Sequence, residues 1–242
     1  MVRENVERID LIPFGDWHIG SRECQIDKIK EMIRWIKNNP LARVILMGDL
    51  LDAGLRTSVG AGTFDNIMTP EEQYELCLEM LKPIKEKIYG LHIGNHEQRI
   101  VNETSMDLMK SLARELDTKY LDSSCIHRII VKDYSYILFT THGSSGSTLP
   151  HTKMKFLRDF AGYIDADVYC AGHVHELDTA SDVKLYLDIG DKMVKQKKRY
   201  FVISGHYLKY GGYAEAKGYF PGKIGSPKIQ LFGTKQDIHI SI

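Results

Sequence analysis

Ala42 to Asp52 reads ARVILMGDLLD, apolar without a break from Val44 to Met47 and then abruptly Gly48-Asp49. A strand that is apolar on both faces is covered on both faces, as in parallel sheets with helices packed over them. The flanking segments fit the same plan. Upstream, IDLIPFG (9–15) reads as another short buried strand. Between the two, residues 24–38 carry Ile26, Ile29, Met32, Ile33 and Ile36 at helical spacing. Downstream, TPEEQYELCLEMLKPIKEKI (69–88) predicts a helix, with Thr69 as N-cap and Pro70 at the first helical position. A third strand, YGLHIGNHE (89–97), ends at a loop. This β-α-β-α-β order predicts parallel strands joined by right-handed crossovers.

The second half is richer in strands. IHRIIVKD and YSYILFTTHG predict a hairpin around Asp133. A helix is expected from His151 to Tyr163, ahead of ADVYCAGH, and short strands with Gly-rich turns are expected from Val183 onward. With 242 residues and no linker, repeat or low-complexity tract, the chain is expected to form one domain, 1–242. Hydrophobic residues at 43% and charged residues at 26% are ordinary for a globular protein, and the net charge of zero gives no bulk attraction to nucleic acid or anionic membranes. No apolar run reaches the roughly 18–20 residues of a membrane span. The charged start, MVRENVERID, lacks the apolar region of a secretory signal. Cys24, Cys77, Cys125 and Cys170 form no CxxC and are expected as reduced thiols, so the expected compartment is the cytoplasm.

Ligands of open α/β sheets gather at the carboxyl ends of the strands. Five predicted strands end in polar residues beside glycine: GDWHIG, GDLLD, GNHE, THG and GHVH. Each alone has an ordinary explanation. Asp-x-His arises often by chance, Asp49 or Asp52 could cap a helix, Asn95 could sit at positive φ in a tight turn, and His142 could be a satisfied strand-end residue. His173 and His175 would share a side of an extended chain. Together, the set mixes carboxylate and amide oxygens with imidazoles. That mixture suits Mn, Fe or Zn better than Ca or Mg. Seven donors exceed one tetrahedral zinc and fit two metals sharing a carboxylate.

The five blocks, in this order from Asp16 to His175, resemble the signature of the calcineurin-like metallophosphoesterases. The resemblance implies an α/β fold, a two-sheet β-sandwich flanked by helices (α-β-β-α). It implies Asp16, His18 and His175 on one metal, Asn95, His142 and His173 on the other, and Asp49 bridging. His96 would be a non-ligand catalytic histidine and Asp52 its orienting partner. The cofactors expected are two divalent transition metal ions, manganese first, with iron, zinc, nickel or cobalt as alternatives. They would lower the pKa of a bridging water to give hydroxide near neutral pH.

Arg99, Arg56 and His206 are candidate substrate contacts. Lys153, Lys155 and His151 read better as a solvated helix start, and Tyr207, Tyr210, Tyr213 and Tyr219 as sheet or dimer cover. Ala53 stands where phosphoprotein phosphatases carry an arginine, whereas Glu97 resembles that branch. The expected function is a phosphodiesterase or nuclease acting on nucleotides or nucleic acid. The alternatives are a phosphomonoesterase, a phosphoprotein phosphatase, or a non-catalytic scaffold, which the intact motifs disfavour. No membrane partner is expected, and a homo-oligomer is open.

Overall fold

The computed structural model describes residues 1–56, 58, 66–144, 150–212, 215 and 220–242, with the backbone alone at 150 and 151. Strands β1 (Val2–Glu4), β2 (Arg8–Phe14), β3 (Ala42–Leu46) and β4 (Ile88–Leu91) alternate with helices α1 (Ile26–Asn38) and α2 (Pro70–Leu81). Helices α3 (Asn95–Thr104) and α4 (Leu108–Glu115) precede a hairpin, β5 (Ser124–Val131) and β6 (Tyr134–Thr141). Then come α5 (Pro150–Asp159), β7 (Val168–Ala171), β8 (Leu177–Asp188), β9 (Met193–Ser204), β10 (Lys228–Phe232) and β11 (Ile238–Ser241).

The strands form two sheets, one ordered β1-β5-β6-β7-β9-β8 and the other β11-β10-β2-β3-β4. In the second, β2, β3 and β4 run parallel as the sequence predicts, and β10 closes the other side of β2 antiparallel. Strand alternation sorts the side chains into layers. Ile9, Leu11 and Ile45 face the first sheet's Ile129, Leu138, Val168 and Val202 across the inter-sheet core. Ile12, Phe14, Val44 and Leu46 point the other way, under Ile29, Ile33 and Ile36 of α1, Cys77 and Leu81 of α2, and Leu112 of α4. A third cluster packs Leu157 of α5 on Phe139, Tyr169 and Phe201. The chain is therefore an α-β-β-α sandwich, and both faces of ARVIL are buried because each has a partner.

Several local expectations are corrected. Helix α2 opens with the predicted cap, Thr69 accepting from the Glu72 amide and Glu72 from the Thr69 amide, but it stops at Leu81. Pro83 cannot supply an amide proton to continue it, and residues Lys82–Lys87 form a 3-10 turn instead. Helix α5 likewise gives way to a 3-10 turn at Phe160. GNHE is the start of α3, not a loop, and Asn95 is its first residue with no positive φ. The tail holds a hairpin of two 12-residue strands, β8 and β9, where short strands were expected. Much of that hairpin is exposed on both faces, so burial writes little pattern into it.

The charged N-terminus forms a strand as well. Glu4 of β1 takes a two-pronged hydrogen bond from Arg43 of β3, at 2.6 and 2.7 Å, and a third from the Tyr89 hydroxyl at 2.8 Å, tying one sheet to the other. Burial works to raise the Glu4 pKa, but the Arg43 and Tyr89 hydrogen bonds outweigh it and hold the carboxyl below its ordinary value. All four cysteines are free, and among the described residues no helix is long and apolar enough to cross a membrane.

Candidate metal centre

The polar strand ends meet at one edge of the sandwich. Past β2 and β3 the two loops stay zipped: Asp16 N donates to Gly48 O, Trp17 N and His18 N both donate to Asp49 O, and Ile19 N to Leu50 O, all within 3.0 Å. The backbone there is unusual. Asp16, His18, Asp49, His173 and His175 all have φ between 48° and 69°, the left-handed region. Non-glycine residues there cost on the order of 1–3 kcal/mol each and persist only where surroundings impose them. This corrects the extended reading of His173 and His175, since β7 ends at Ala171 and the chain turns. The neighbouring glycines make room for these side chains. A Cβ on Gly94 would lie 2.1 Å from Asp49 Oδ1, and one on Gly48, itself at φ +87°, would lie 2.7 Å from the Gly94 nitrogen.

Two half-clusters form around Asp49. On one side Asp16, His18 and His175 converge, with His175 Nε2 3.0 Å from His18 Nε2 and 3.5 Å from Asp16 Oδ1. On the other, Asn95 Oδ1 lies 3.0 Å from His142 Nε2 and 2.7 Å from His173 Nδ1. Asp49 stands between them. Its Oδ2 is 3.7 Å from His18 Nε2 and 3.4 Å from His142 Nε2, while its Oδ1 accepts from the His96 amide at 2.9 Å.

The tautomers are set from behind. His142 Nδ1 donates to Met47 O at 2.8 Å, and His18 Nδ1 to Asp52 Oδ1 at 3.2 Å. In the neutral rings both Nε2 atoms then present bare lone pairs. Those lone pairs face a carboxylate and an amide oxygen on one side, and a carboxylate and another ring nitrogen on the other. Acceptors aimed at acceptors need a proton or a metal ion between them, and hydrogen-bonded imidazoles with carboxylates are the donor set of a divalent transition metal. The residues fit a metal centre.

The electrostatics agree. Burial disfavours charge on His142, yet Asp49 beside it pulls its pKa up to about 10. His175, although Asp16 approaches it to 3.5 Å, is pushed down to about 3, chiefly by desolvation. Burial opposes ionisation of Asp52 too, but the hydrogen bond from His18 and the nearby His96 ring hold it far below the usual carboxylate range. His96 is raised: burial lowers it, and Asp49 and Asp52 more than reverse that.

His96 lies beside the cluster, edge-on to His18 with ring centroids 4.4 Å apart. Its Nδ1 donates to the backbone carbonyl of Asp52 at 2.7 Å, and the Asp52 carboxylate is farther, at 3.4 Å. The link between them therefore runs chiefly through main chain. The carboxylate is engaged elsewhere, by His18 and by the Asn66 side-chain amide. Arg99 brings its guanidinium 3.3 Å from His96 Nδ1, a nitrogen already committed as a donor, so this is a charge contact. Arg56 is exposed and makes no hydrogen bond or ion pair with the cluster among the described residues. His206 is buried and stacks on His175, centroids 5.5 Å apart, with Nδ1 accepting from the Leu208 amide. Lys153 pairs with Glu176 at 3.3 Å and Lys155 with Asp159. Tyr207 is buried against the core, Tyr210 is exposed, and Tyr213, Tyr219, the His151 side chain and residues 57, 59–65 and 145–149 of the loops after β3 and β6 lie outside the described residues.

Glu97 has a role the sequence did not disclose. Its buried carboxylate accepts from the amides of Asp49 (3.1 Å), Leu51 (2.9 Å) and Gly94 (2.9 Å), joining the β3 and β4 loops. Burial and the charge on Asp49 push it up to about 7. A second buried histidine group lies nearby. His92 Nδ1 donates to Asp122 O, the Thr140 hydroxyl donates to His92 Nε2 at 2.7 Å, and His127 Nε2 donates to that hydroxyl at 2.7 Å. Burial pushes His92 down to about 3 and His127 to about 4.

A layered α/β sandwich with carboxylates and imidazoles converging at its strand ends presents a candidate metal centre. The profile of the calcineurin-like phosphoesterases matches residues 12–177, and the chain belongs to that family. It is thus an enzyme hydrolysing phosphate esters at a divalent metal centre. Curated proteins contain no match to the chain. Among solved structures it is similar to a conserved uncharacterized protein of Streptococcus pneumoniae, a predicted phosphoesterase, at 12% identity and TM-score 0.42, over 93% of this chain and 84% of that one. It is also similar to GAP50, the anchor in the inner membrane complex of Plasmodium, at 12% identity and TM-score 0.42, over 96% of this chain and 88% of that one.

Proposed function

We propose that the chain is a two-metal phosphodiesterase acting on nucleotides or nucleic acid, with manganese as its working metal. The observation that carries the two-metal reading is Asp49, whose single carboxylate oxygen lies within 3.7 Å of ring nitrogens from both half-clusters. Asp16, His18 and His175 would hold one ion, Asn95, His142 and His173 the other, and Asp49 both. When bound, the ions supply Lewis acidity toward phosphate oxygens and a nucleophile at neutral pH.

The chain's own residues then orient and protonate. Asp52 fixes the His18 tautomer, Met47 O fixes that of His142, and the His96 amide holds Asp49 Oδ1 in place. His96, its Nδ1 proton engaged by Asp52 O, carries its second proton on Nε2 for transfer to the leaving alkoxide. Its raised pKa keeps that proton available near neutral pH. The diester preference rests on charge. Ala53 is fully buried, so no side chain at that position reaches a substrate phosphate, and Arg99 is the cation that contacts His96. A singly charged diester needs less protein cation than a monoester, which is close to doubly charged. The four free thiols suit a reducing cytoplasm.

The test is a substrate panel on manganese-loaded protein: a chromogenic bis-ester, its mono-ester, cyclic nucleotides, single- and double-stranded DNA, RNA and phosphopeptides. A higher kcat/KM on diesters is expected, greatest on a nucleotide substrate. Preference for the mono-ester or the phosphopeptide overturns the diester reading. No turnover with Mn, Fe, Zn, Ni or Co means a scaffold.

A further inference from the structure

The hairpin β8–β9 reaches beyond the sandwich, and its two faces differ. Paired residues of antiparallel strands share a face, so Val183, Leu185 and Leu187 lie with Val194 on one side. These four side chains are 55–65% exposed, and Ile189 at the turn is 83% exposed. The opposite face is clothed in ion pairs: Lys184 with Asp165, Lys195 with Asp188, Lys197 with Asp165 and Asp167. The first face is thus the more apolar, with Gln196 and Lys198 as its polar members, while Tyr186 and Met193 are the exposed apolar members of the charged one. The outer strand, β8, is also the terminal strand of its sheet, with a free backbone edge among the described residues. A long, apolar edge strand left open is a pairing site.

We propose that β8 pairs antiparallel with β8 of a second copy about a two-fold axis at Tyr186, giving one sheet continuous across the dimer. The register follows from charge and face. With the axis at Tyr186, Lys184 lies opposite Asp188 of the mate, twice by symmetry. Leu185 then meets Leu187, Val183 meets Ile189, and Tyr186 meets Tyr186. Moving the axis to Leu185 would set Asp182 against Asp188, a like-charge pair, and an axis between residues would lay the apolar face over the charged one. Five large apolar side chains on β8 or at its end, Val183, Leu185, Tyr186, Leu187 and Ile189, are at least 41% exposed. At roughly 100 Å² each they bring about 500 Å² per partner, near the ≈ 1,000 Å² in total at which a specific interface begins. A two-fold contact uses the same patch on both copies, which a lone self-matching strand satisfies.

Sedimentation velocity on the full chain at micromolar concentration should give a dimer. The Leu185→Lys/Leu187→Lys variant should sediment as a monomer with unchanged circular dichroism and unchanged turnover, since neither residue touches the metal centre. The register is tested by charge exchange. Lys184→Asp and Asp188→Lys should each raise the dimer Kd by about tenfold, and the double variant should recover it. A wild-type monomer, or a dimer that the Leu185→Lys/Leu187→Lys variant retains, overturns the proposal. Failure of the double variant to recover overturns the register. Wild-type monomer that floats with neutral vesicles assigns the apolar face to lipid instead.

Discussion

Two groups of histidines lie close together in this sandwich and behave in opposite ways. His92 and His127 share the Thr140 hydroxyl, and the donors and acceptors that meet there are complementary. His18, His142, His173 and His175 turn ring nitrogens toward carboxylates, an amide oxygen and one another, on a backbone much of which is left-handed. Burial alone tells nothing, since His18 and His142 are as buried as His92 and His127. What separates structure from chemistry is whether the hydrogen bonds close without a cation.

That contrast is most exposed at Asp49. Asp49→Asn keeps the shape and removes the charge, and turnover should fall to the background rate while bound metal, counted by plasma mass spectrometry, drops. Full metal content in that variant would break the contrast outright. Next is His96→Ala, which should lower kcat by roughly 10²–10⁴ with metal content unchanged, because its nitrogens are committed to Asp52 and the leaving group. Metal loss there would move His96 into the ligand set. Glu97→Ala takes the acceptor from three amides and should cost about 3 kcal/mol of stability by thermal unfolding, since orphaned buried donors cost about 1–3 kcal/mol each. A shift within 0.5 kcal/mol, about the size of a surface substitution, would show that the loops need no such clasp.

The smallest effect tests the satisfied pair. His127 has its pKa lowered to about 4 in the folded protein against about 6.5 unfolded, so the unfolded chain binds the extra proton between those values. Its neutral-state contribution is complete above pH 6.5 and is lost as pH falls toward 4. The slope of unfolding free energy against pH in that window should be shallower in His127→Phe by about 1.4 kcal/mol per unit. Equal slopes in the two proteins would mean that His127 titrates normally.

The strand ends were legible because Asp16, Asp49, Asn95 and His173 each follow a buried run and a glycine, and His142 follows a buried run and precedes one, a pattern that burial itself writes. The helix beginning at Asn95 was not, because NHEQRIVNET buries only Glu97 and Ile100, too few for a helical stripe. The clasp by Glu97 and the carbonyl contact of Asp52 with His96 rest on main-chain atoms, which every sequence carries alike. Positive φ at Asp16 or His175 leaves no mark either, since neither is a glycine. The length of β8 and β9 escaped for a related reason: pairing continues where burial stops.

The antiparallel partner of β2 has a consequence for how the chain must be made. β2 lies between β3 and β10, and its register with β10 sets Leu11 against Ile229, more than 200 residues later. Contacts that distant form slowly. Until residue 228 has emerged, β2 is an open, apolar edge ready to pair with other chains. The family match ends at residue 177, after all seven proposed ligands but before β10. A fragment cut there would carry the whole metal-binding inventory and lack the strand that keeps it from aggregating.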